Sequence, residues 1–215
     1  MSFHKGQKRI LEKYSQQSDA NNQVVIDRNS KVSIFDENHY KATELKAGSP
    51  FGLVEELFPE EPWRVLICTM LLNKTQRKQN LDSILYYLFD RWPTPDSVVK
   101  DAECNEEDVH LFVFALVRAA GLGQSKARAF VHLSKDYLLL LRSKSQINHD
   151  NERCAGKGIE FELTREDVKQ LFNCGDYAAD AYQIFIRKDF ESPIFSSDQM
   201  LLAYVEWKRS LSCVV

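Results

Sequence analysis

The residues of this chain best suited to chemistry lie toward its C-terminal end: a turn at Asn173, Cys174 and Gly175, a phenol at Tyr177, and a carboxylate at Asp198. Helical patterns flank the turn, so the backbone N–H groups that follow Gly175 open a helix and can hold a phosphate oxygen. Asp198 follows Ser196 and Ser197 and precedes the apolar Met200, Leu201 and Leu202. That places its carboxylate in the first turn of another helix, where the helix dipole favours the ionised form. A phosphate grip and an ionised carboxylate together point to chemistry on nucleic acid. Each residue alone has a plainer explanation: Ser and Asp routinely cap helices, and Tyr177 fits an amphipathic core position.

The elements that must position these groups read as helices throughout. Pro62 opens an apolar run, Trp63, Val65, Leu66, Ile67, Met70, Leu71 and Leu72, whose near-continuous hydrophobicity suits a helix buried on most sides. A polar turn at 73–75 leads to a second helix through Leu81, Ile84, Leu85, Leu88 and Phe89, which stops before Pro93 and Pro95. A third helical stretch is expected over 108–120, ended by Gly121 and Gly123, and a fourth over 124–141. The polar, glycine-bearing segment 143–158 reads as a loop insertion. Thr164 with Asp167 forms an acidic variant of a capping box. Helices follow over 176–187 and 197–209. No internal repeat and no strongly alternating segment calls for a sheet.

Composition sets the outer bounds. At 215 residues with 44% hydrophobic content, the chain suits one sizeable domain or two small ones, and one core is the simpler case. Residues 1–48 are polar and weakly periodic, with one short ordered patch expected at 32–35. They read as a flexible arm ahead of a compact domain over 49–215. Lys and Arg number 28 against 31 Asp and Glu, a net charge of −3, so any basic face must be local. Lys5, Lys8, Arg9 and Lys13 form a basic cluster that suits a nuclear address, a DNA-seeking arm or simply a solvated tail. The five cysteines are an odd set without a C-x-x-C, which favours reduced intracellular thiols over a disulfide framework and argues against zinc. The first residues, MSFHKGQKRI, lack the apolar region of a secretory signal and no apolar run approaches membrane length, so a soluble protein is expected.

With the helices in this order the chain resembles the helix-hairpin-helix DNA glycosylases, and within them the mismatch-specific thymine and uracil glycosylase domain found attached to methyl-CpG-binding domains. The resemblance rests on SPFGLVEELFPEEPWRVLICTMLLNKT (49–75), AAGLGQSKARAFVHLSKDYL (119–138), LFNCGDYAADAYQIF (171–185) and the SSDQ helix start. It implies an all-α, two-lobed helical fold with the active site in the cleft between lobes. It further implies Asp198 as the catalytic carboxylate, stabilising positive charge at the sugar C1′ and orienting or deprotonating water as the base departs.

Tyr177 stands where bifunctional relatives carry a Schiff-base lysine, so the resemblance implies base removal without a lyase step. Tyr177 with Leu53, Val54 and Glu55 is implied as the pocket for the extruded base, Glu55 standing where the family pattern has glutamine. Lys74 and Leu122 match positions that enter the duplex as wedge and plug. Gln124 and Lys126, at a helix start, are placed to hold phosphates, as are Asn173 and Gly175 in the hairpin. Asn173 replaces a glycine of the family's turn, and Asp176 adds a carboxylate beside it.

Relatives with an iron-sulfur cluster bind it through four closely spaced cysteines after the catalytic helix. Here only Cys213 follows, so no cofactor and no metal is expected. The expected partner is double-stranded DNA holding a mispaired or damaged base, met in the nucleus by a monomer, with no membrane association. Two alternatives stay open: a catalytically weak DNA-binding or interaction module of the same fold, and a glycosylase for another damaged or modified pyrimidine.

Overall fold

The structure, a computed structural model, describes residues 48–72, 81–119, 122–151 and 162–212, with short segments at 25–26 and 32–33. Its architecture is all-α, as the periodicity predicts. The helices are α1 (Pro62–Leu72), α2 (Leu81–Arg91), α3 (Pro95–Ala119), α4 (Gln124–Asn151), α5 (Arg165–Gln170), α6 (Asp176–Phe185) and α7 (Gln199–Ser212), with a 3-10 turn at Val54–Leu57 ahead of them. One minimal antiparallel ladder pairs β1 (Val25–Ile26) with β2 (Val32–Ser33), within the stretch expected to be an arm. No described helix is long and apolar enough to cross a membrane.

Helix α1 is the spine. Pro62 starts it without loss, because its missing N–H falls where no intrahelical acceptor exists, and the N–H of Val65 closes the first turn on the Glu61 carbonyl at 3.0 Å. Val65, Leu66, Ile67, Met70 and Leu71 are fully enclosed. Each such side chain contributes about 1.5–3 kcal/mol relative to exposure. The helix packs against α4, α6 and the 3-10 turn, so it joins the elements that carry the candidate site. Trp63 locks α1 to α4: its indole N–H donates to Ser134 Oγ at 3.1 Å, and the Ser134 hydroxyl in turn donates to the Phe130 carbonyl at 2.7 Å.

Two helices depart from expectation. Helix α3 begins at Pro95 rather than near Asp108, because a proline that ends one helix is equally suited to the first position of the next. Thr94 and Ser97 cap this start through reciprocal N–H to Oγ bonds of 3.3 Å. The helix bends at Asn105 (φ −161°, ψ 93°), whose Oδ1 accepts the Asp108 N–H and so starts the half that the sequence does reveal.

Helix α4 continues to Asn151, so the first part of the expected 143–158 loop insertion is helical. Polar composition alone does not break a helix, and the glycines of that segment come only after Asn151. Lys144 in this extension lies 2.5 Å from Asp167 Oδ2, tying α4 to the start of α5. Residues 152–158 lie outside the described residues.

Candidate active site

Helices α5 and α6 form the predicted hairpin. Thr164 and Asp167 make the full capping box: Asp167 Oδ2 accepts the Thr164 N–H at 2.7 Å, and Thr164 Oγ1 accepts the Asp167 N–H at 3.2 Å. Burial raises the Asp167 pKa, but Lys144 and the bonds from Thr164 outweigh it and hold the carboxyl below its ordinary value. Between the helices Asn173 has φ 61°, the left-handed region that asparagine enters more readily than other non-glycine residues. The turn therefore forms without the glycine of the family pattern. Gly175 caps α6, its carbonyl accepting the Ala179 N–H at 3.1 Å, and a Cβ there would meet nothing within 4 Å.

Asp176, the carboxylate that should repel a phosphate at this turn, is neutralised. Lys169 donates to its Oδ1 at 2.9 Å and Arg165 at 2.7 Å. Lys169 first, and Arg165 next, hold its carboxyl below the usual range.

One residue further along α6, Tyr177 reaches across to the 3-10 turn. Its hydroxyl donates to Glu55 Oε1 at 2.7 Å, and Glu55 is completely enclosed. Gly52, at φ 59°, supplies the left-handed bend that leads the chain into that turn. Burial raises the Tyr177 pKa strongly, the Glu55 charge and hydrogen bond raise it further, and the Asp198 charge adds to both. The phenol is therefore a protonated hydrogen-bond donor at any physiological pH.

Asp198 is exposed and caps α7. Its Oδ1 accepts the Leu201 N–H at 2.9 Å, and its carbonyl accepts the Leu202 N–H at 3.1 Å. The segment that delivers it is held by Asp180, a carboxylate that sequence reasoning missed. Asp180 is fully enclosed on α6, its Oδ2 accepting the N–H groups of Phe195 (3.1 Å) and Ser196 (2.6 Å), while its Oδ1 pairs with Arg165. Arg165 also stacks its guanidinium 4.3 Å from the Phe195 ring centroid. The available signal was spacing: Asp180 lies one turn beyond Asp176, among alanines on the buried face, where a carboxylate requires a partner.

Tyr177 thus bonds Glu55 and feels the charge of Asp198, which links it to two distant segments of the chain. The chain is similar to a curated protein of Arabidopsis thaliana, a methyl-CpG-binding domain protein 4-like protein. The two are 29% identical over 161 residues, or 75% of this chain. The chain spans 29% of the length of that relative. No family model matches.

The other predicted site residues are placed less uniformly. Leu53 is half-buried at the start of the 3-10 turn, and Val54 is a core side chain. Leu122, expected as a plug, is packed in the core with 7% of its surface exposed, its N–H closing on the Val117 carbonyl at 3.1 Å. Lys126, expected at a phosphate, turns its ammonium onto the Met70 carbonyl, in the last turn of α1, where helix carbonyls lack intrahelical donors. Gln124 is exposed at the start of α4 and lines a cavity of about 630 Å³ with Glu106, Glu107, His110, Leu111, Arg128 and His132. Lys74 lies outside the described residues.

A smaller cavity of about 170 Å³ touches Glu55 from the side of Glu56, Lys188 and Tyr204; neither Tyr177 nor Asp198 lines it. Cys104 and Cys174 are free thiols, and burial pushes the Cys174 thiol up to about 12, which makes it unreactive at neutral pH.

Proposed function

We propose that this chain is a monofunctional DNA glycosylase that hydrolyses the N-glycosidic bond of thymine or uracil mispaired with guanine. One observation carries the proposal: Tyr177, one residue past the first position of the hairpin's second helix, is bonded to Glu55 and lies within the electrostatic reach of Asp198. Those are three of the residues that the family resemblance assigns to base pocket and catalysis. The similarity to a methyl-CpG-binding domain protein 4-like protein supports a role on DNA.

In this account the base is extruded into a cleft between two helical lobes, against Tyr177 and the 53–55 segment. Asp198 stabilises the positive charge that builds at C1′ as the C1′–N1 electron pair leaves with the base. With Oδ1 committed to the helix cap, Oδ2 is the atom that orients water and takes its proton as the C1′–O bond forms. A phenol forms no imine with C1′, so the product is an abasic site in an intact strand. The hairpin turn at Asn173 and Gly175 holds a backbone phosphate, Gln124 a second, and Lys74 enters the duplex. The protein acts as a monomer in the nucleus.

A second reading, a DNA-binding module of the same fold without base release, draws on the burial of Leu122 and the inward turn of Lys126. Incubating the protein with duplexes holding a single G·T or G·U pair, then cleaving abasic sites with alkali, separates the two. Cleavage at the mispair alone supports the glycosylase; retention of the duplex without cleavage supports the module.

A further inference from the structure

We infer that this chain takes its target base from single-stranded DNA, with unpaired neighbouring bases stacked on Phe172 and Phe195. The release step rests on the base-release proposal above; the stacking does not. Phe195 lies three residues before Asp198 with 63% of its surface exposed, and Phe172 lies just before the hairpin turn with 45% exposed. Both rings are held from behind. The Phe195 N–H donates to Asp180 Oδ2 at 3.1 Å, and the Arg165 guanidinium covers the ring 4.3 Å from its centroid. The Phe172 N–H donates to Asp136 Oδ2 at 3.1 Å, and the His132 ring packs against its side chain with centroids 5.0 Å apart.

Two fixed rings on either side of the polar turn 173–176 do not form the contiguous apolar patch that a protein partner buries. They suit separate flat ligands joined by a polar chain, which is the chemistry of unpaired nucleotides. The charges around the turn point the same way. Lys169 and Arg165 are both drawn onto Asp176, so phosphate attraction at the hairpin is partly spent and stacking has to supply affinity.

A duplex offers no base faces to such rings, because each base is already stacked between its neighbours. Extruding a base from a duplex also costs unstacking energy, which an inserted apolar side chain offsets. Leu122, the residue expected to insert, is packed in the core instead. A base in a single strand carries the smallest extrusion cost and leaves neighbours free to stack on Phe172 and Phe195.

Fluorescence anisotropy should compare a strand of about a dozen deoxycytidines with a tetrahydrofuran-spacer strand of equal phosphate count. The wild-type chain should bind the deoxycytidine strand at least about fivefold tighter, the effect of one stacked base. A smaller ratio overturns the inference without any variant. Phe172→Leu and Phe195→Leu keep an apolar side chain at an exposed position, and each should lower the ratio at least about threefold. A ratio that neither variant lowers also overturns it.

Single-turnover release of one uracil should then be at least as fast from a single strand as from the G·U duplex of the same sequence. Faster release from the duplex overturns the inference and leaves the glycosylase proposal standing. No release from either substrate overturns the glycosylase proposal, and the single-stranded source of the target base with it, whatever the stacking ratio.

Discussion

The Oδ2 atom of Asp180 accepts the backbone N–H of Ser196 at 2.6 Å, two residues before Asp198. A carboxylate buried on one hairpin helix thereby sets the path of the chain that delivers another carboxylate to the surface. Arg165 completes the tie, pairing with Asp180 and Asp176 on α6 and stacking on Phe195. The hairpin turn and the Asp198 carboxylate therefore share one support, which the proposed chemistry requires.

Removing that support should be costly. Asp180→Ala strips the partner from a largely buried guanidinium and from the N–H groups of Phe195 and Ser196. A buried pair broken on one side loses about 3–5 kcal/mol. Urea unfolding monitored by circular dichroism should place the variant that far below the parent; a loss of under about 1 kcal/mol, the scale of an exposed pair, would mean that the tie is dispensable.

At the hairpin, Asp176 spends the charge of Lys169 and part of that of Arg165 internally. Asp176→Asn should release the Lys169 ammonium to a phosphate, tightening duplex binding and steepening the dependence of log K on log salt by about 0.9. Fluorescence anisotropy titrations across a range of salt read both quantities. An unaltered slope means that this turn does not meet the backbone.

Stability should fall on acidification. Glu106 is held below its usual pKa first by Lys135, Asp176 by Lys169 and Arg165, and Asp167 by Lys144 and Thr164 against burial. Each contributes stability that is complete above the unfolded carboxylate value and is lost as pH falls through its depressed folded value. His110, lowered by burial, acts in the same sense at higher pH: the unfolded state takes up its proton first, so stability begins to fall near the ordinary histidine value. Urea midpoints should decline gently below about pH 6.5 and steeply below about pH 4. A midpoint that rises on acidification would contradict these pairings.

What the sequence makes legible follows from the range of the forces involved. Helices α1, α2 and α6 carry apolar periodicity, and the Thr164–Asp167 box is a local signature, so both can be read along the chain. Pro95 is ambiguous because the same ring ends and begins helices, and 143–151 misleads because polar residues extend a helix as readily as they form a loop. The bond between Tyr177 and Glu55 joins residues 122 positions apart, so no local pattern contains it; only a family resemblance could suggest the pair. Asp180 lay outside even that. Its role depends on backbone N–H groups, which carry no residue identity, and the inward turns of Leu122 and Lys126 are likewise tertiary choices.

The central claim is that the Asp198 carboxylate does chemistry beyond capping α7, and Asp198→Asn separates the two roles. Asparagine caps a helix as well as aspartate does, so the urea midpoint should stay within about 0.5 kcal/mol of the parent. The negative charge that the proposed mechanism sets against C1′ is gone, so single-turnover release of uracil from a G·U duplex should fall by about 10²-fold or more while duplex affinity is retained. Equal release rates in the parent and Asp198→Asn would contradict the account and leave Asp198 a helix cap alone.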